Sequence, residues 1–81
     1  MTRYSRRLED HVANASGHLE RTRSSTRKQA DLVSGLKRGA RRTQEARILD
    51  DMRSCQGSAE LYVDGLRNQL DRHKASGTPA A

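Results

Sequence analysis

Apolar residues recur at intervals of three and four through the first quarter of the chain. This spacing places them on one face of an α-helix. It predicts an amphipathic helix over about residues 3–20. The residues that form the series are Tyr4, Leu8, Val12, Ala15 and Leu19.

A polar stretch, Arg-Thr-Arg-Ser-Ser-Thr at residues 21–26, follows this series. Its hydroxyl side chains favour turns and helix caps over helix interiors. Thr26 and Gln29 also have the spacing of a capping box, in which two side chains satisfy the free N–H groups at a helix start. We therefore predict a polar link over about residues 21–26 and a second helical stretch over about residues 27–74.

The apolar face changes direction within this second stretch. Counted at 100° per residue, the apolar residues before position 43 and those after position 48 point in directions that differ by roughly 100°. We expect the helix to supercoil or kink near residues 43–48, or to break at a turn formed by Gly57 and Ser58. The later series is Ile48, Met52, Cys55, Ala59, Tyr62, Leu66 and Leu70.

Two further features bear on the architecture. Gly35 and Gly39 are four residues apart, a spacing that either lets another helix approach closely or loosens the helix that contains it. The small and polar residues 75–81 predict a disordered tail. The fold class is therefore all-α, with two or three amphipathic helices in residues 1–74 forming a helical hairpin or an extended coiled-coil-like helix.

The composition indicates that this fold needs a partner. Only 32% of the 81 residues are apolar, and the chain has no Phe or Trp. A chain of this size draws at most roughly 3–5 kcal/mol from a single core. We expect a protein partner or a second copy of the chain to cover an apolar face made of Leu8, Val12, Leu19, Val33, Leu36, Ile48, Met52, Tyr62, Leu66 and Leu70.

Positive charge is concentrated in the middle of the chain. The net charge is +6, and residues 21–42 hold eight basic residues against one acidic residue. Such a segment predicts binding to phosphates of a nucleic acid or to an acidic protein surface; the alternative is a solvated helix face. The candidate residues are Arg21, Arg23, Arg27, Lys28, Lys37, Arg38, Arg41 and Arg42.

The sequence contains no pattern typical of an enzyme, a metal site or a cofactor site. His11 and His18 are seven residues apart, about 10 Å along a helix, which is too far to share one ion. Cys55 has no second cysteine to pair with and lies on the later apolar series, so we predict a small buried hydrophobic residue. No apolar run exceeds three residues, so we expect neither a transmembrane segment nor a secretory signal.

These observations favour a soluble intracellular protein, cytoplasmic by default, without enzymatic activity. The leading hypothesis is a helical adaptor or structural subunit of a larger assembly or homo-oligomer. The alternative is a basic helical protein that binds DNA or RNA through residues 21–42.

Overall fold

A computed structural model of the chain describes residues 3–76 and shows an antiparallel hairpin of two long α-helices. Helix α1 spans Arg3–Gly35 and helix α2 spans Ala40–Ser76. The hairpin is 66 Å long and only 14 × 13 Å across, measured between Cα atoms. The predicted all-α class is confirmed, in its hairpin form. Residues 75 and 76 of the predicted tail belong to α2, and residues 77–81 lie outside the described part of the chain.

The chain reverses at residues 36–39, between the two glycines. The Leu36 N–H donates a hydrogen bond to the Val33 carbonyl at 3.2 Å, and the Thr43 N–H donates to the Gly39 carbonyl at 3.1 Å. Gly39 has a φ of 155°, which residues with a Cβ atom rarely adopt. Gly39 therefore permits a tight turn. We call the region around this turn, residues 27–47, the tip of the hairpin.

Residues 21–26, predicted as a link, instead continue α1 without a break. Two of their polar side chains, Arg23 and Thr26, have partners that a continuous helix accommodates. The buried Thr26 donates its hydroxyl hydrogen bond to the Thr22 carbonyl at 2.9 Å. Gln29 does not cap a helix; its amide donates across the hairpin to the Glu45 carbonyl at 3.0 Å and to the Glu45 carboxylate at 2.7 Å.

The two helices meet along a seam with a regular spacing of three and four residues. Buried and half-buried side chains follow this spacing along both helices, which is the seven-residue period of a left-handed coiled coil. In α1 the seam consists of Ser5, Leu8, Val12, Ala15, Leu19, Thr22, Thr26, Gln29 and Val33. In α2 it consists of Arg42, Glu45, Leu49, Met52, Gln56, Ala59, Val63, Leu66, Leu70 and His73.

Helix α2 is continuous through residues 43–48, where a supercoil or kink was expected, and through residues 57–58, where the alternative placed a turn. A seven-residue period drifts by about 20° per repeat relative to a straight helix, and supercoiling absorbs the drift. The seam also passes through polar residues, Glu45 and Gln56. The apparent change of direction arises because the apolar residues Ile48, Cys55 and Tyr62 stand one position before the seam.

Candidate interaction surface

One side of the hairpin is closed by polar contacts between the helices. The Lys74 ammonium lies 3.3 Å from the Glu9 carboxylate, and the Arg23 guanidinium lies 3.5 Å from the Glu60 carboxylate. We call this side the ion-paired flank. It consists of Glu9, Ser16 and Arg23 on α1 with Glu60, Arg67 and Lys74 on α2.

The polar contacts of the ion-paired flank fix the register of the helices more than they stabilise them. The guanidinium of Arg67 donates a hydrogen bond to the Ser16 hydroxyl at 3.3 Å, between the two ion pairs. The Arg23 and Glu60 side chains stay 39% and 40% exposed. Exposed pairs of this kind contribute little because water screens them. The charged groups of this flank thus find partners within the chain.

The opposite side, which we call the open flank, has a different composition. It consists of two rows of residues seven apart: Tyr4, His11, His18, Ser25 and Leu32 on α1, with Arg41, Ile48, Cys55, Tyr62 and Gln69 on α2. The Gln69 amide donates a hydrogen bond to the Tyr4 hydroxyl at 2.8 Å, which aligns the two rows at one end. The seven-residue period then places His18 level with Cys55.

Most of the exposed apolar surface lies on the open flank. Within residues 3–76, five large apolar or aromatic side chains are exposed, and four of them belong to this flank. Tyr62 is 60% exposed, Tyr4 49%, Ile48 42% and Leu32 40%. Single exposed apolar residues are ordinary, but several of them on one side of a molecule mark a candidate interaction surface.

The open flank is concave. A depression of about 460 Å³ lies toward the tip, between His18 and Ser25 of α1 and Ile48, Met52 and Cys55 of α2. A second depression of about 440 Å³ lies toward the chain ends and is lined by His11, Ala15, His18, Ala59 and Tyr62, among others. Because His18 lines both, the two depressions are adjacent, and we call them together the groove.

The far end of the open flank is held by aromatic packing. The rings of Tyr4 and His73 meet edge to face, with centroids 4.6 Å apart and an interplanar angle of 68°. Together with the hydrogen bond from Gln69 to the Tyr4 hydroxyl, this contact fixes the Tyr4 side chain in position. At this end of the open flank two contacts with α2 therefore hold Tyr4.

The structure divides the predicted apolar face between two surfaces. Leu8, Leu19 and Leu70 are buried in the seam, while Val12, Val33 and Leu66 are half-buried there, and Leu36 is half-buried in the turn. Met52 is half-buried in the seam and also lines the groove, whereas Ile48 and Tyr62 are exposed on the open flank.

Sequence reasoning missed two core residues and misplaced a third side chain. Leu49 and Val63 are among the five buried hydrophobic residues, with 6% and 2% exposure. Both stand a multiple of seven residues before Leu70, and this spacing would have identified them. Cys55, predicted to be buried, is exposed because it stands on the open flank and not in the seam.

The predicted basic residues do not form a single face. Arg21 borders the groove, and Arg23 belongs to the ion-paired flank, where it also contacts Glu20 at 2.8 Å. The other six lie at the tip, which contains seven Lys or Arg residues and two Asp or Glu residues, a net charge of +5. Within residues 3–76 none of these seven cations forms an ion pair: Arg27, Lys28, Lys37, Arg38, Arg41, Arg42 and Arg47.

The tip also has a shallow depression of about 540 Å³. Arg38, Arg42 and Arg47 border it, but so does Asp50. The carboxylate makes the depression a poor cradle for a single anion. The positive charge at the tip is spread over an exposed surface, and this suits an extended polyanion better than a small ion.

Among residues 3–76, no group of three or more His, Cys, Asp or Glu side chains is placed to hold a metal ion. Neither helix in that range is apolar enough over a sufficient length to cross a membrane. No protein-family profile, curated protein or solved structure matches the chain. Function is therefore inferred from the open flank and the tip.

Proposed function

We propose that the chain is a non-enzymatic helical subunit that assembles with another helical surface through its open flank. The observation that carries this proposal is the difference between the two sides of the hairpin. The ion-paired flank satisfies its polar groups within the chain, whereas the open flank leaves Tyr4, Leu32, Ile48 and Tyr62 in water.

The energetics of burial support the same role. Apolar surface removed from water contributes about 25 cal/mol per Å², so covering four large side chains supplies several kcal/mol. The hairpin has few other sources, since its seam includes polar residues such as Thr22, Gln29 and Gln56. Association through the open flank would therefore add substantially to the stability of the fold.

The exposed thiol favours a reducing compartment. Cys55 is free and lies at the middle of the groove, where uncontrolled oxidation would obstruct binding. We place the protein inside the cell, where thiols are kept reduced. The proposed role requires neither a cofactor nor a metal ion.

Photo-crosslinking from adjacent positions tests the proposal. Tyr62, on the open flank, or Leu61, 74% exposed on another face of α2, is replaced by the photoreactive residue p-benzoylphenylalanine in cells that produce the protein. We expect covalent adducts from position 62 and few from position 61, because only position 62 lies within the interface. Equal labelling from both positions, or none from either, would contradict the proposal.

A second candidate function rests on the tip. Its seven unpaired cations and net charge of +5 are placed at one end of an elongated molecule, so they concentrate positive potential there. Arginine guanidinium groups bind phosphates bidentately. No Trp, Phe or Tyr lies in residues 27–47 to stack on unpaired bases. Nucleic-acid binding at the tip would therefore be directed at the backbone and tolerant of sequence.

Charge reversal tests this second candidate. Changing Arg38, Arg41 and Arg42 to Glu should weaken binding to a generic duplex and flatten the slope of log K against log salt by up to about 3. The matched control, Arg3, Arg6 and Arg7 to Glu, makes the same six-unit change at the opposite end of the hairpin. If both variants lose affinity equally, net charge and not the tip accounts for binding, and this candidate fails.

A further inference from the structure

We infer that the occupant of the open flank is a second copy of this chain, packed antiparallel about a two-fold axis that runs across the hairpin, from α1 to α2, at the level of His18 and Cys55. This inference rests on the proposed function, since it names the partner of the same surface. The product is a four-helix bundle in which the grooves of two hairpins face each other. Three independent features of the described residues lead to it.

The first feature is the symmetry of the exposed residues about the centre of the flank. Ile48 and Tyr62 each stand seven residues from Cys55. A two-fold axis at Cys55 that reverses the helix direction therefore places Ile48 of one copy opposite Tyr62 of the other. An apolar side chain thus meets an aromatic one.

Helix α1 has the same symmetry about His18, which is level with Cys55. Tyr4 and Leu32 each stand fourteen residues from His18, so Tyr4 of one copy lies opposite Leu32 of the other. All four large exposed side chains of the open flank are thus paired with large apolar partners. In the alternative arrangement, with the two tips side by side, Tyr4 faces Gln69 and Leu32 faces Arg41.

The second feature is charge. Residues 27–47 carry a net charge of +5, whereas the opposite end of the hairpin, residues 3–16 and 60–76, holds six basic and five acidic residues, a net of +1. Placing two tips together would juxtapose two strongly positive surfaces. The antiparallel arrangement puts each tip beside the end of the other copy that holds five carboxylates. Electrostatics therefore selects the same orientation as the apolar pairing.

The third feature is area. From Tyr4 to Leu32 the flank extends about 42 Å at 1.5 Å per residue, and two helices side by side are roughly 20 Å wide. The product is about 800 Å² on each copy, or roughly 1,600 Å² in total. This is the size of a standard stable protein–protein interface. A lone third helix would cover only about half of that surface.

Cysteine crosslinking of the full chain tests the orientation. Only the antiparallel arrangement puts Cys55 next to Cys55 of the other copy, since the tip-to-tip arrangement places it next to His18. Diamide, which accepts the two hydrogens released by two thiols, should convert the protein to a covalent dimer of about twice the 9.1 kDa chain mass. In a Cys55→Ala background, a mixture of Ile48→Cys and Tyr62→Cys chains should also crosslink to each other.

A variant outside the flank controls for random collision. Leu61→Cys in the Cys55→Ala background places a thiol on the outer face of α2, where the Leu61 side chain is 74% exposed. We expect it to crosslink at least tenfold more slowly than Cys55. Equal rates, or crosslinking of an Ile48→Cys chain to a Ser25→Cys chain in the same background, would overturn the antiparallel two-fold arrangement.

Sedimentation equilibrium separates this inference from the proposed function. A dimer at micromolar concentration is expected, and a monomer that persists up to several hundred micromolar would refute self-association. Photo-adducts formed at position 62 distinguish the two failures. An adduct with the mass of a different protein leaves the interaction role intact and removes only the second copy as occupant. The absence of any adduct removes both.

Discussion

Leu61, Tyr62 and Val63 are consecutive in the chain and have three different surroundings. Leu61 is 74% exposed on the outer face of α2, Tyr62 lies on the open flank, and Val63 is 2% exposed within the seam. Successive residues on a helix are about 100° apart, so a run of three necessarily spans most of the circumference. Hydrophobicity alone does not distinguish these roles, and only the position in the seven-residue period does.

Shortening Val63 and Leu61 should show this difference as a difference in stability. Val63→Ala removes two methyl groups from the most deeply buried large side chain and should lower the free energy of unfolding by about 1–2.5 kcal/mol. Leu61→Ala removes more carbon atoms but should change it by less than about 0.5 kcal/mol. Urea unfolding at one fixed protein concentration measures both. Similar losses in the two variants would contradict the assignment of Val63 to the seam.

At the scale of the helices, the sequence predicted the class and the apolar periodicity but not the point of reversal. Residues 21–26 resemble a link because hydroxyl side chains favour turns. In the hairpin, however, Thr26 bonds to the Thr22 carbonyl and Arg23 pairs with Glu60, 37 residues away in the other half of the molecule. Tertiary partners of that kind are not visible in the local sequence.

The same limit applies to the candidate interface. Ile48, Met52 and Tyr62 were predicted to contact a partner, as were Leu8, Leu19 and Leu70, which are buried inside the hairpin. A sequence read as one amphipathic face cannot separate residues that contact the other helix from residues that remain available. The separation appears only when the register between α1 and α2 is known, here from contacts such as that of Gln69 with Tyr4.

Alanine substitutions at two glycines, Gly39 in the turn and Gly57 within α2, should change the stability in opposite directions. Gly39→Ala should destabilise the hairpin by about 1–2 kcal/mol, because a φ of 155° is strained for any residue with a Cβ atom. Gly57→Ala should stabilise it by up to about 1 kcal/mol, because Gly57 lies within α2 and an added Cβ meets no atom within 4 Å. Thermal unfolding followed by circular dichroism measures both. A stabilising Gly39→Ala would contradict the described turn.

At the scale of the whole molecule, the hairpin is long, thin and weakly cored. Five buried hydrophobic residues serve two helices that together extend over 66 Å. The entropy of ordering about seventy residues opposes folding by roughly 1–2 kcal/mol per residue for the backbone. Burial of the open flank between two copies would therefore be coupled to folding. The stability of each hairpin would then depend on the protein concentration.

Coupling of this kind predicts that the melting temperature depends on protein concentration. Each tenfold increase adds about 1.4 kcal/mol per mole of dimer, or roughly 0.7 kcal/mol per chain, which corresponds to about 3–5 °C for a domain of this size. Tyr62→Asp should abolish that dependence while leaving a helical monomer at low temperature. Its carboxylate stays hydrated on a single hairpin but costs several kcal/mol when covered by a second copy. Leu70→Asp should instead remove helicity at every concentration, because Leu70 is 8% exposed and lies in the seam.

Leu61→Asp, on the outer face of α2, should keep the concentration dependence of the unmodified chain. Circular dichroism melts at 2, 20 and 200 µM, values chosen to span about 2.8 kcal/mol per mole of dimer, compare the four proteins directly. If Tyr62→Asp and Leu61→Asp keep the same concentration dependence, the open flank does not hold the two copies together.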